Sequence, residues 1–362
     1  MKILLLSSIL NYRTLAGASS KYKLHYLLPE ANRTQMDIEF KELDRLSAIH
    51  RKNLQVYYLK RIYLLNAFFK SINLLKKDKV DLLWTTSPIL GLICLVLKIL
   101  YKKPYAIFVG QPFTEYIKNE RPFYYRMFLP FYKIAMYISF RNADVITTHS
   151  KYLQQYVKKY GARNVVPTYY YGVDTQAFKP AEMQKHDKFT VMYAGRFSLQ
   201  KGVDHLLDAF KMLKNKGFEF KAWMYGNGFL KEKIADTVKR EKLDIEVCGY
   251  VNQQTLASKF NQADVFVVPS ISEGLGFIAA EALSCGVPVV ASRVGGLPDS
   301  IEGYGILVPP RDPKALAEAI IEIKSNYADY KRKALEGRTH ITNKFDRKKV
   351  VKEFQDAMES VV

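Results

Sequence analysis

Of 362 residues only three are cysteine, Cys94, Cys248 and Cys285, and they lie far apart, each inside an apolar segment. This odd, scattered set argues against a disulfide framework or a cysteine-based zinc site, and it fits a reducing compartment. Clustered carboxylates of the Asp-x-Asp kind are lacking as well, so no metal is expected. Long apolar runs are missing. Ile89 to Leu100 is interrupted by Lys98 and is too short to cross a bilayer. The opening Met1 to Leu10, followed by Ala16-Gly17-Ala18, has the basic start and small residues of a short signal peptide. Its brief apolar run equally suits a first buried parallel strand, and that reading is adopted. No repeat or low-complexity tract occurs.

Acidic residues are scarce in one half only. The formal charge is +20, but up to Gly172 there are 27 Lys and Arg against 10 Asp and Glu, and beyond it 28 against 25. The basic half contains Arg121 to Arg141, RPFYYRMFLPFYKIAMYISFR, with eight aromatic residues among its charges. That composition suits a bilayer headgroup region, and an ordinary core helix would read the same way. No zinc finger, aromatic RNA-binding strand or recognition helix accompanies the charge, so an anionic membrane or acceptor ranks above nucleic acid.

What is present is alternation. Segments at Ile3 to Leu6, Val56 to Leu59, Val80 to Trp84, Tyr105 to Val109 and Asp144 to Thr147 read as strands, with helical patterns near 61–77, 88–101 and 121–141. A second series follows near 189–194, 219–225, 244–248, 264–268, 287–291 and 306–308. Alternation of this kind predicts α/β architecture with parallel sheets, and the length predicts two domains. The boundaries read as a first domain over 1–170, a linker over 171–188 and a second domain over 189–344. An amphipathic helix follows over 345–362.

The chemistry concentrates in Pro269 to Pro288, PSISEGLGFIAAEALSCGVP. A buried-type strand runs into a Ser/Glu/Gly turn and then a helix start, whose unpaired N–H groups and dipole favour an anion. Gly274 and Gly276 allow close backbone approach, and Leu275 and Phe277 complete the turn. Glu273 and Glu281 stand eight residues apart, a little over two helical turns, so a bound ligand would meet one acid at each end. Carboxylates accept hydrogen bonds from hydroxyls rather than attracting phosphate, so the ligand expected here carries both hydroxyls and phosphates.

Glu273-Gly-Leu-Gly-Phe-Ile-Ala-Ala-Glu281-Ala resembles the E-x7-E motif of the retaining glycosyltransferases of family 4, and Gly286 to Asp299 is similar to that family's next strand and Gly-Gly-x-Pro-Glu loop, with Asp in the last place. The resemblance implies the GT-B fold, two Rossmann-like domains facing each other across a cleft, with the final helix crossing back to the first. It implies Arg196 and Lys201, in Gly195-Arg-x4-Lys-Gly202, as a clamp on the leaving diphosphate that needs no metal or other cofactor. Catalytic roles fall to Arg196, Lys201 and Glu273. Donor contacts fall to Gly195, Glu281, Gly274, Leu275, Gly276 and Phe277, with Gly226 in Tyr225-Gly-Asn-Gly228 and Tyr250 and Val251 beside the base.

The first half departs from that family's pattern. Only Gly17 stands where a Gly-Gly loop approaches the phosphates, and the histidine that many members of the family place after the strand corresponding to Tyr105 to Val109 is missing. Gln111 and His149 are the substitutes considered on the acceptor side, and Glu115 reads as a solvated loop acid. The resemblance implies transfer from a UDP- or GDP-sugar to a glycan or lipid-linked acceptor, in surface polysaccharide or glycolipid synthesis, with the departing phosphate taking the acceptor's proton. The expected location is cytoplasmic, peripheral at a membrane. Two other readings stay open: a sugar-nucleotide epimerase of the same fold, and a non-catalytic membrane- or glycan-binding protein.

Overall fold

A computed structural model describes residues 1–6, 22–29, 54–59, 63–77, 79–120, 123–168, 172–182 and 187–362. The chain forms two compact units. One gathers Met1–Gly110, Arg126–Tyr171 and Lys348–Val362, the other Gln111–Tyr125 and Gly172–Arg347.

The first unit is built on a parallel sheet of seven described strands: β1 (Lys2–Leu6), β2 (Lys23–Pro29), β3 (Leu54–Leu59), β4 (Leu82–Thr85), β5 (Tyr105–Val109), β6 (Val145–Thr148) and β7 (Val165–Pro167). Their order is β3-β2-β1-β4-β5-β6-β7, so the chain starts mid-sheet and winds outward both ways. The opening apolar run is therefore a central strand, with Ile3 to Leu6 fully buried. Strands buried on both faces need no alternation of polarity, which is why β1, β4 and β5 are legible as solid apolar runs. β2 and β7 escaped notice because Lys23 and His25 break one run and Pro167 ends the other. The final helix, Arg347–Glu359, closes this core: Phe354 lies 5.2 Å from the buried Trp84 ring, and Tyr22 donates to Glu359 Oε1 at 3.0 Å.

The second unit has a six-stranded parallel sheet of β8 (Thr190–Ala194), β9 (Lys221–Tyr225), β10 (Ile245–Cys248), β11 (Val265–Val268), β12 (Val289–Ser292) and β13 (Ile306–Val308), ordered β10-β9-β8-β11-β12-β13. All six agree with the sequence pattern to within two residues.

Two boundaries differ from expectation. Gln111 to Tyr125 clusters with the second unit, because the helix Phe113–Glu120 packs beside the 3-10 turn Leu199–Lys201. The described part of the stretch read as a linker is tightly bonded rather than loose. Val173 N–H donates to Phe345 O at 2.7 Å, Arg347 N–H returns to Val173 O at 2.9 Å, and Thr175 Oγ1 donates to Asp346 at 2.6 Å. Arg338 donates to Phe178 O (2.8 Å) and Ser284 O (2.6 Å), tying this stretch to the helix Phe277–Ser284. Phe178 is fully buried. Its lack of periodicity concealed a segment held by backbone and arginine hydrogen bonds, which no apolar pattern records.

Candidate functional site

In a parallel sheet the C-terminal strand ends share one edge, and the second unit's loops after β8, β9, β11 and β12 converge there. Backbone contacts hold them in register. Gly195 N–H donates to Tyr225 O at 2.9 Å and Phe197 N–H to Asn227 O at 2.9 Å, joining the loops after β8 and β9. Gly226 N–H donates to Gly249 O at 3.2 Å, which brings the Tyr250 and Val251 loop alongside. Tyr250 itself is exposed.

The loop after β11 is gripped from both sides. Ile271 N–H donates to Gln200 O at 2.8 Å, and Gln200 Nε2 donates back to Ser272 O at 3.2 Å. Gly202 has a left-handed φ of +65°, and a Cβ on it would sit 1.9 Å from Pro269 O; Gly295, at φ +54°, would place one 1.8 Å from Glu273 O. Two glycines therefore let the Lys201 turn touch the Pro269 backbone, and the loop after β12 the Glu273 backbone, directly.

Charges meet at this grip. Lys201 Nζ donates to Glu273 Oε2 in a largely buried ion pair. Glu273 also accepts from Gly274 N–H at 3.2 Å and from Ser270 Oγ at 3.4 Å. Burial alone would raise the Glu273 carboxyl, but the Lys201 ammonium, its hydrogen bond, the Gly274 amide and the Arg196 charge outweigh it and hold the group below the usual carboxylate range. Arg196 is exposed, while its carbonyl accepts from the buried Tyr193 hydroxyl at 2.8 Å, fixing the loop that carries it. Burial, with the Glu273 charge beside it, pushes the Tyr193 phenol far up.

The helix begins at Phe277 with Gly276 as its left-handed cap, so Glu273 lies in the loop before it and Glu281 on the helix, the placement that the sequence indicates. Glu281 is 2% exposed. Burial first, and the Glu281 charge second, push the neighbouring Cys285 thiol up to about 12. Gly274, Leu275 and Gly276 are buried in the turn between them.

Sequence reading undervalued Glu115. It accepts from Ser272 Oγ at 2.7 Å, which places an acid from the Gln111–Tyr125 segment beside the Glu273 loop. Gln111 belongs to the same segment and is half-buried. His149 lies in the first unit, buried after β6 with its ring 5.6 Å from Phe108 and a Gly110 neighbour, a packed position. Gly17 lies outside the described residues. Gln200, Ser272, Tyr193 and Gly295 were not singled out; only the Gly295-Gly296 pair carried a signal.

Two parallel-sheet units of this topology, with an anion-ready edge on one of them, define the GT-B class of sugar-transferring folds. The description "Glycosyltransferase Family 4" matches residues 16–177, and "Glycosyl transferases group 1" matches residues 188–326. An uncharacterized glycosyltransferase of Methanocaldococcus jannaschii is 31% identical over 303 residues, covering 80% of this chain and 81% of the relative. The capsular polysaccharide biosynthesis glycosyltransferase CapM of Staphylococcus aureus is 24% identical, covering 78% of this chain and 77% of its own length. Among solved structures, Anabaena HepE in complex with UDP-glucose has a TM-score of 0.79 at 17% identity, covering 99% of this chain and 100% of that one. The chain belongs to glycosyltransferase family 4.

Proposed function

We propose that the chain is a retaining glycosyltransferase that needs no metal, moving a sugar from a UDP- or GDP-sugar to a glycan or lipid-linked acceptor in surface polysaccharide or glycolipid synthesis. The Arg196, Lys201 and Glu273 cluster on the sheet edge carries this reading. Breaking the bond between the sugar's anomeric carbon and the diphosphate leaves negative charge on the leaving oxygen, and the Arg196 fork and the Lys201 ammonium stabilise it. Glu273 stores the Lys201 ammonium in place until phosphate oxygens take over as its partner. Glu281 accepts from donor hydroxyls, and the amides from Gly274 to Phe277 face the anion. The acceptor hydroxyl bonds to the anomeric carbon on the face the leaving group vacates, and its proton passes to the departing phosphate oxygen, which balances the step. The S. aureus relative's part in capsule synthesis and HepE's UDP-glucose support donor and product class. The basic first unit is proposed to meet an anionic membrane, on the cytoplasmic side.

The test is a thermal-shift panel of UDP-, GDP- and ADP-sugars, with and without EDTA, on wild type and Lys201→Ala. Ligand binding to the folded state raises the melting temperature by mass action. One nucleotide series stabilising wild type in EDTA, and Lys201→Ala much less, supports the reading. No shift from any donor, or one that EDTA abolishes, refutes it. The anomeric configuration of the product, read by NMR, tests retention.

A further inference from the structure

The helix Leu129–Asn142 is apolar on two faces, and only one of them is covered. Met136 and Phe140 are fully buried in the first unit, and Ser139 Oγ donates to Pro88 O at 2.8 Å where the helix Pro88–Tyr101 crosses. On the opposite side are Met127, in the 3-10 turn just before the helix, and Phe131, Ile134 and Ile138 at helical spacing on it. They are 73%, 70%, 57% and 39% exposed. At the far end of the same crossing Lys98 Nζ donates to Asn142 O at 3.1 Å, and the next two residues, Ile99 and Leu100, are exposed too. A second apolar face left uncovered belongs against a partner, and solitary exposed side chains do not explain a stripe shared by two packed helices.

The charges beside the stripe identify the partner. Arg126, Lys133 and Arg141 are exposed on the same helix and the turn before it, Arg141 lying over the Tyr137 ring at 5.9 Å. No Asp or Glu occurs from Arg121 to Ala143, nor between Asp81 and Glu115 around the crossing helix. A second copy would bring the same positive charge against this face, whereas an anionic bilayer complements it and takes aromatic side chains at headgroup depth. No described helix is long and apolar enough to cross a membrane, so this face lies on the bilayer. We infer that the Met127–Ile138 stripe with Ile99 and Leu100 inserts into an anionic lipid surface and is where the first unit docks. This deepens the proposed membrane contact by naming its surface.

The test is co-sedimentation of the full chain with phosphatidylcholine vesicles, plain or containing about 30% phosphatidylglycerol. Wild type is expected to pellet with the anionic vesicles and less with the neutral ones. Phe131→Ser with Ile134→Ser is expected to lower the partition coefficient at least about tenfold, while Leu335→Ser, on the second unit, leaves it unchanged. Both substituted side chains are exposed, and retained stabilisation of the double variant by a UDP-sugar verifies its fold. If the double variant pellets like wild type, the stripe is not the docking face although membrane contact itself stands. If wild type ignores anionic vesicles, both fail, with donor binding unaffected. A concentration-dependent dimer that the double variant abolishes, without vesicle binding, assigns the stripe to a second copy and overturns the inference.

Discussion

Removing the Lys201 ammonium leaves a largely buried carboxylate without its cation. In Lys201→Ala, Glu273 keeps the Gly274 amide at 3.2 Å and the Ser270 hydroxyl at 3.4 Å. Breaking a fully buried pair costs about 3–5 kcal/mol. Partial exposure of both side chains and the two remaining donors reduce this to about 1–3 kcal/mol. That corresponds to a fall of about 2–4 °C per kcal/mol for a unit of this size. The pH dependence carries the sign. With its folded pKa depressed, Glu273 adds stability in the wild type that is present above the ordinary carboxylate pKa and lost as pH falls through the depressed value. In the variant, burial is opposed only by the weaker contacts, so the carboxyl rises and its ionised form becomes the costly one. The stability gap between the two proteins is therefore widest near neutrality and closes in acid as pH falls through the depressed value. Urea denaturation of both proteins from about pH 2 to 8 measures it. A gap that stays constant across that range would refute the electrostatic account, as would a Glu273→Gln partner substitution that fails to recover stability in Lys201→Ala.

Arg196→Lys keeps the charge but loses the planar fork; since the side chain is exposed, the melting temperature should hold while donor affinity by calorimetry falls about tenfold. Gly202→Ala drives a Cβ to 1.9 Å from Pro269 O at a left-handed φ, and should lose about 1–3 kcal/mol in urea unfolding together with the donor-induced thermal shift. Glu115→Ala removes the acceptor of the 2.7 Å bond from Ser272, and should raise the donor dissociation constant about three- to tenfold with little change in melting temperature. An unchanged dissociation constant would mean that Ser272 needs no anchor.

Strand after strand could be read from the chain because buried parallel strands are uniform apolar runs, and β5 and β13 fall on the residues that pattern marks. The glycines of a tight loop after a strand were legible from local pattern, whereas the Gly-Arg-x4-Lys-Gly and Glu273 to Glu281 spacings were legible through their resemblance to family 4 motifs. Only the folded chain decided that Gly202 and Gly295 press on the loop after β11 from opposite sides, because contact between separate loops leaves no periodicity. The same holds for Glu115, which lies in the first turn of the helix Phe113–Glu120 rather than in a loop, and whose hydrogen bond to Ser272 spans 157 residues. The helix Leu129–Asn142 shows the limit most plainly: composition specified an aromatic, basic, apolar helix, but which of its faces is covered depends on where Pro88–Tyr101 crosses it. Sequence names the residue types a core or a ligand requires, and tertiary packing chooses which of them are spent inside and which are left for a partner.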